Sequence, residues 1–259
     1  MLTCFGNSIG VQSVRNRFLN VVITFLLSCS CVAAPIQAVT DSYPPFIYLD
    51  KNKPAGVAVE VLNALFKESG LFGQIEFLPW QRAYNMGLSD KSNVLVFTMS
   101  RTAERENLFK WIGPILNVRV RLYKLKSRND ISSMQLEDAR NYRTGVVLGY
   151  ASEKLLLDAG FEQGKQLDQA INEETNVKKF IAGRFDLICS NDFVLAEELN
   201  KAGRNFSEVE PVVTLDKSFD EYMGFSKATD DATVSAFQAA FERLKKSGRY
   251  DAILAKQRK

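Results

Sequence analysis

Residues 93–111, NVLVFTMSRTAERENLFKW, join an apolar strand to a polar turn, and this junction decides the predicted fold. The apolar run at residues 94–98 predicts a buried strand that ends in a hydroxyl group. Thr102 is a suitable N-cap for a short helix after the strand, with Glu104 in its first turn, where a carboxylate stabilises the helix dipole. A strand followed directly by a helix is the unit from which α/β folds are built.

The same junction predicts a binding site for a small anion. The hydroxyl groups of Thr98 and Ser100 and the guanidinium of Arg105 follow the end of one strand, and a guanidinium can bind a carboxylate through two hydrogen bonds. Free backbone N–H groups at a helix N-terminus also favour an anion. A simpler alternative is that Arg105 is a surface residue that pairs with Glu104 or Glu106.

Strands and helices alternate along most of the chain, which predicts an α/β fold with a largely parallel sheet and helices on both faces. The alternation occurs in two runs, residues 36–118 and 126–210. Two further strands, near residues 117–126 and 213–226, are predicted to link the runs. Ligands of open α/β sheets bind at the carboxyl ends of the strands, so the turn after Thr98 lies where a ligand is expected.

The composition argues against several classes of site. The 259 residues include no histidine, which removes the Ser-His-Asp and Cys-His arrangements and the commonest metal ligand. Basic and acidic residues nearly balance, 33 against 30, so we expect no nucleic-acid binding, which needs a concentrated basic face. No cysteine pair has the spacing of a metal site, and Cys189 lies in an apolar run that predicts a buried thiol. We expect neither a metal nor another cofactor.

The N-terminal residues are typical of a secretory signal peptide. Arg15 and Arg17 form a basic region, and the uncharged apolar stretch 18–32 is short for a membrane span, which needs roughly 17–25 residues. Small residues follow, so we predict a signal peptide over residues 1–34 and a location in the periplasm. A lipoprotein attached to the membrane through Cys29 is the alternative.

Six short motifs follow one another along the chain from residue 40 onwards. They are Thr40-Asp41-x-Tyr43-Pro44-Pro45-Phe46, Gly56-Val57-x-Val59-Glu60-Val61, Thr98-x-Ser100-x-Thr102-x-x-Arg105, Gly145-Val146-Val147-x-Gly149, Gly183-Arg184-Phe185-Asp186 and Leu244-x-x-Ser247-Gly248-x-Tyr250. In this order they resemble the extracellular solute-binding proteins of family 3, the amino-acid-type substrate-binding proteins of ABC transporters. The resemblance implies a two-lobed periplasmic binding protein type II fold with a two-strand hinge. Lobe I is expected at residues 35–118 plus 222–259, and lobe II at residues 119–221.

The resemblance also implies roles for individual residues. In amino-acid binders of the family, the aromatic residue at the position of Tyr43 lies against the ligand, and the residues at the positions of Thr98, Ser100 and Arg105 bind its α-carboxylate. Tyr150 stands where a small hydroxyl residue is usual. Asn191 stands where an aspartate usually binds the α-amino group, so we expect a neutral hydrogen bond there. The predicted ligand-binding residues are Tyr43, Trp80, Arg82, Thr98, Ser100, Arg105, Tyr150, Ser152 and Asn191.

The motif Pro79-Trp80-x-Arg82-Ala83 resembles a branch of the same family whose ligands are mostly unassigned. Within it, Trp80 is predicted to form an aromatic wall of the cleft, and Arg82 is predicted to make a second contact with an anion.

The function implied by the resemblance is that of a periplasmic protein that captures a small anionic or zwitterionic solute. The solute carries a carboxylate, binds between the lobes and is delivered to an ABC-type permease. The alternative partner is a membrane sensor that receives the same ligand signal. An enzyme is a further alternative, because dehydratases share the fold, but no motif singles out a general acid among Glu173, Glu174 and Asp192. We therefore expect a binding protein rather than an enzyme, and a monomer.

Overall fold

The computed structural model describes residues 1, 3 and 34–256. The predicted signal peptide and Cys29 lie outside the described residues, apart from Met1, Thr3 and Ala34. The chain divides into the units Met1–Ala34 and Pro35–Lys259, and the fold is that of the second unit. Among the described residues, no helix combines the length and the apolar character that a membrane span requires.

One mixed sheet dominates this unit. Its eight strands in the described residues run in the order β4-β1-β5-β10-β6-β9-β7-β8, and β2 pairs with β3 in a separate hairpin. The strands are β1 Ile36–Thr40, β2 Tyr48–Asp50, β3 Lys53–Ala55, β4 Gly73–Phe77, β5 Val94–Ser100, β6 Phe109–Leu125, β7 Thr144–Val147, β8 Leu167–Ala170, β9 Leu187–Asn191 and β10 Val209–Ser226.

Helices connect the parallel strands, as the alternating sequence pattern predicted. They are α1 Val57–Ser69, α2 Trp80–Gly87, α3 Ala151–Asp158, α4 Glu173–Ile181, α5 Asp192–Lys201, α6 Asp231–Lys246 and α7 Arg249–Ala255. Two 3₁₀ turns, Asp138–Asn141 and Phe206–Glu208, complete the described helical elements. The predicted α/β class is confirmed.

The sheet has two parallel ends joined by a long antiparallel pair. β1 runs parallel to β4 and β5, and β7 runs parallel to β8 and β9. Between these ends, β6 and β10 pair along their length, from Phe109 opposite Ser226 to Leu125 opposite Val209. Both long strands therefore pass from one half of the sheet to the other, as a two-strand hinge requires. The residue bounds predicted for the two lobes stay a prediction.

The short helix predicted at Thr102 is wrong. Residues 103–108 form turns, in which the backbone N–H of Arg105 donates to the Thr102 carbonyl at 3.1 Å and that of Leu108 donates to the Arg105 carbonyl at 2.9 Å. Bonds between residues three apart close single turns, and β6 begins at Phe109, so too few residues are left to continue a helix.

Two further corrections concern the long strands. The linking strand predicted near residues 213–226 begins earlier, because the structure has a single strand, β10, from Val209 to Ser226. The alternation of apolar and polar residues in the other linking strand predicts Tyr123 on an exposed face, but its side chain is fully buried. The reason is that Tyr123 belongs to a buried cluster with Leu195 and Leu199 of α5. The prediction for Cys189 is confirmed, since its free thiol is buried in the core.

Candidate ligand-binding site

A cavity of about 40 Å³ lies where the two parallel ends of the sheet face each other. It is reached by the segments that follow β1 and β5, by the start of α2 and α3, and by the long strands β6 and β10. Its lining residues are Asp41, Tyr43, Trp80, Thr98, Met99, Ser100, Arg105, Val118, Val120, Tyr150, Ala151, Ser152, Phe219 and Glu221.

Arg105 supplies the positive charge of this cavity. Its Nη1 donates to the Ser100 carbonyl at 3.1 Å, and its Nη2 donates to the Gly149 carbonyl at 2.9 Å. The guanidinium also lies over the rings of Trp80 and Tyr84, at 5.6 and 5.2 Å from their centroids. Burial lowers the pKa of Arg105 below its ordinary value. The side chain is therefore fixed in orientation while part of its five-donor fork remains for another acceptor.

Two carboxyl groups face the same cavity, and sequence reasoning missed both. The side chain of Asp41 is 6% exposed and accepts a hydrogen bond of 2.6 Å from the Tyr150 hydroxyl. Burial raises the pKa of Asp41 to about 6, although the bond from Tyr150 lowers it in part. Glu221 is also 6% exposed and accepts a bond of 2.6 Å from the Ser100 hydroxyl. Burial raises the pKa of Glu221 to about 7, while Ser100 and Arg105 lower it in part.

The charge of the lining is therefore mixed rather than purely positive. One guanidinium, that of Arg105, faces the carboxyl groups of Asp41 and Glu221. Such an arrangement suits a ligand that carries both an anionic and a cationic group, because each buried charge needs an opposite partner.

Gly149 brings the two halves of the sheet into direct contact. Its carbonyl accepts from Trp80 Nε1 at 3.0 Å in addition to Arg105, and its N–H donates to Glu153 Oε2 at 2.6 Å. The φ angle of Gly149 is 78°, and a Cβ atom there would lie 1.8 Å from Gln81 Nε2. Only glycine combines this backbone conformation with such a close approach.

Asn191 joins the halves without facing the cavity. Its Nδ2 donates to the Tyr43 hydroxyl at 2.7 Å, and its Oδ1 accepts from the backbone N–H groups of Phe193 and Val194 at 3.1 and 3.0 Å. These last bonds cap α5. The side chain is 2% exposed, and Asn191 is not among the residues that line the cavity.

The other predicted site residues separate into two groups. Arg82 is exposed on α2 and does not line the cavity. The predicted residues that the structure brings together around the cavity are Tyr43, Trp80, Thr98, Ser100, Arg105, Tyr150 and Ser152. Their roles toward a ligand stay predictions. Each of the two missed acids had a usable signal in the sequence. Asp41 stands inside the quoted motif with Tyr43, and Glu221 alternates with the apolar residues Phe219, Met223 and Phe225.

Another buried carboxyl group, that of Glu173, lies outside the lining. It is 3% exposed at the start of α4. Burial raises the pKa of Glu173 to about 8, and the charges of Asp41 and Glu198 add to the shift, while the neighbouring side chains of Ser190 and Asn176 lower it in part. Its Oε2 atom, like the side-chain polar atoms of Asn176, has no hydrogen-bond partner among the described residues.

The family model of the bacterial extracellular solute-binding proteins, family 3, matches residues 36–257. A relative from Neisseria gonorrhoeae, named a probable histidine-binding protein, is 23% identical over 216 residues, which are 83% of this chain and 79% of that protein.

Solved structures share the same architecture. A histidine kinase sensor domain with similarity to periplasmic binding proteins superposes with a TM-score of 0.77 at 20% identity, covering 86% of this chain and 95% of that one. An ancestral arginine-binding protein bound to arginine superposes with a TM-score of 0.75 at 21% identity, covering 87% of this chain and 98% of that one. These likenesses confirm the predicted periplasmic binding protein type II fold.

Proposed function

Because the chain belongs to the bacterial extracellular solute-binding proteins of family 3, we propose that it captures a small zwitterionic solute of the amino-acid type outside the cytoplasm. The observation that carries the proposal is the mixed charge of the cavity, where the half-buried guanidinium of Arg105 stands with two carboxyl groups. The relative named for histidine and the ancestral protein bound to arginine support an amino acid as the class of solute.

In this proposal the solute carboxylate binds at Arg105. The half-buried guanidinium keeps its charge, and a carboxylate can accept from the donors that the Ser100 and Gly149 carbonyls leave unused. The hydroxyl group of Thr98 lines the cavity beside it, and the ring of Trp80 supplies an apolar wall. With water largely excluded, the charge pair is stronger than it is in solution.

The proposed capture step is closure of lobe II, residues 119–221, on lobe I, residues 35–118 plus 222–259. Contacts that cross between the halves of the sheet support this step, since Tyr150 donates to Asp41 and Trp80 donates to the Gly149 carbonyl. We propose that the closed form acts in the periplasm and delivers the solute to an ABC-type permease. Presentation to a membrane sensor is the alternative partner.

A binding screen tests this function. Each of the twenty L-amino acids is added to the purified protein, thermal unfolding identifies candidates, and calorimetry measures their affinity. A true ligand at about 100 times its dissociation constant should add about 2.7 kcal/mol of stability. The solute should also be recovered unchanged by mass spectrometry, because we propose binding and not turnover.

Two arginine variants make the screen specific to the site. R105A should weaken binding of the solute at least tenfold, because a desolvated carboxylate loses its counter-charge. R82A removes an exposed arginine from α2 and serves as the matched control, with unchanged affinity expected. Failure of every amino acid to bind would overturn the proposal, and equal affinities of R105A and the unmodified protein would remove Arg105 from the site.

A further inference from the structure

Glu221 lines the cavity but takes no part in the proposed contact between the solute carboxylate and Arg105. It lies on β10, directly opposite Ser100 of β5 in the antiparallel register, and its Oε1 accepts the Ser100 hydroxyl at 2.6 Å. The side chain is 6% exposed and forms part of the cavity wall together with Asp41. A buried carboxyl on the wall of a binding cavity needs an explanation, because ionising it without a cationic partner is costly.

We propose that Glu221 and Asp41 bind the ammonium group of the solute. Glu221 is then the residue that selects for an amine. This inference rests on the proposed function and adds to it the group that recognises the cationic end. It places the solute ammonium beside the carboxyl groups of Glu221 and Asp41 and the solute carboxylate at Arg105. A ligand with adjacent opposite charges matches this order.

Asn191, the residue expected to face the ammonium group, is already engaged elsewhere. Both of its functional atoms are used, Oδ1 by the N-terminus of α5 and Nδ2 by the Tyr43 hydroxyl. Because Asn191 also lies outside the cavity lining, the acceptor for an ammonium group has to come from another residue. Among the described lining residues, the carboxyl groups belong to Asp41 and Glu221.

The surroundings of Glu221 favour a cation over a second anion. The side chain faces Ser100, Arg105 and Asp41, and Asp220 adds a further negative charge nearby. The cavity lining therefore carries one guanidinium and two carboxyl groups, and both carboxyl groups would repel a solute with only negative charge. The rings of Tyr43 and Trp80 line the same space, and aromatic faces attract an ammonium group.

Binding of a cation at this site should release protons. Burial raises the pKa of Glu221 to about 7 and that of Asp41 to about 6, so both groups are partly protonated near neutral pH. An ammonium group favours the ionised carboxylates and lowers these pKa values. Affinity should consequently rise with pH between about 5.5 and 8, whereas a solute held only by Arg105 would bind less well as the carboxylates ionise.

The test compares each amino acid that binds with its deaminated carboxylic acid, on three proteins. The unmodified protein should bind the amino acid at least tenfold more tightly than the deaminated acid. E221Q keeps the acceptor for Ser100 but removes the charge, so it should bind the amino acid at least tenfold less tightly and lose most of the preference for the amine. D220N removes a neighbouring, exposed carboxylate and is the matched control, with the preference retained.

The measurement on the unmodified protein needs no variant, so the inference stays testable even where E221Q does not fold. A deaminated acid that binds as tightly as its amino acid overturns the inference, as does an E221Q protein that folds and keeps the preference. If no amino acid binds the unmodified protein, the proposed function fails and this inference fails with it. Loss of the preference in E221Q but not in D220N, with proton release on binding, supports the assignment.

Discussion

Replacing Glu173 by glutamine should make the folded protein more stable at neutral and alkaline pH. The carboxyl group is 3% exposed, its Oε2 has no hydrogen-bond partner among the described residues, and burial raises its pKa from 4.5 to about 8. When it ionises, the group has lost its hydration without gaining a cationic partner. Glutamine has the same shape and stays neutral, so the E173Q protein avoids this cost.

The direction and size of the effect follow from the shift in pKa. Between pH 4.5 and about 8, Glu173 binds more protons in the folded protein than in the unfolded chain. The stability that this difference contributes is present in full below pH 4.5 and is lost as the pH rises through 8. Each pKa unit corresponds to about 1.4 kcal/mol, so the total loss is on the order of 5 kcal/mol.

Urea unfolding at several pH values measures this loss. The free energies of unfolding of E173Q and the unmodified protein should agree near pH 4.5 and diverge steadily up to about pH 8.5, with E173Q the more stable. Asp41 and Glu221 titrate in both proteins, so their contributions largely cancel in the difference. The matched control is E174Q, which changes the next residue, an exposed glutamate that pairs with Lys178 and whose pKa is lowered.

E174Q should gain no stability at alkaline pH, because it removes a favourable ion pair at the surface rather than a buried charge. The reasoning about Glu173 is refuted if the stability difference between E173Q and the unmodified protein is the same at pH 4.5 and pH 8.5. It is also refuted if E174Q reproduces the gain of E173Q.

Two further substitutions address the contacts between the halves of the sheet. Y150F removes the hydroxyl that donates to Asp41, so the free energy of unfolding should fall by about 1.5 to 3 kcal/mol at pH 8. The fall should be smaller at pH 5, where Asp41 is protonated. Equal losses at both pH values would contradict this. G149A and G164A place an alanine at similar positive φ angles, but only G149A displaces Gln81, whose amide donates to the Leu148 carbonyl at 3.3 Å. Urea unfolding should show G149A to be less stable than G164A by about 1 kcal/mol. Equal stabilities would show that the hydrogen bond from Gln81 to the Leu148 carbonyl does not stabilise the folded protein.

Elements with a strong local signal were predictable from the sequence. An apolar face and the stop at Gly70 predict a helix over residues 56–69, and α1 is Val57–Ser69, because both features act within the helix itself. The pattern over residues 176–182 predicts another helix, but α4 begins three residues earlier, since Asn172 caps it and its first turn, which includes Glu173, is polar. The strand β8 was missed because it offers only four residues with no alternation of apolar and polar side chains.

The candidate site was predictable in part, for the same physical reason. Arg105 and Ser100 lie five residues apart in one motif, so a single segment of the sequence predicts both as site residues. The burial of Glu221 depends instead on pairing with Ser100 across the sheet, over 121 residues of sequence. Alternation with Phe219, Met223 and Phe225 places Glu221 on a buried face of β10, but acidic residues are ordinarily exposed, and this local pattern does not identify the partner across the sheet.

As the pH rises, the stability of this protein should fall while its affinity for an amine should rise. This combination distinguishes a buried acid in a binding site from a buried acid elsewhere in the core. Glu221 and Glu173 both have pKa values raised by burial, so each makes the folded protein less stable as the pH rises. Glu221 lines the cavity and Glu173 does not. Of these two groups, only Glu221 can gain a cationic partner from a ligand, because an ammonium group in the cavity pairs with the carboxylate that forms as the pH rises. A protein that loses stability but gains affinity for an amine over one pH range therefore has its cation acceptor on the cavity wall, whereas loss of stability alone would describe a buried acid with no role in recognition.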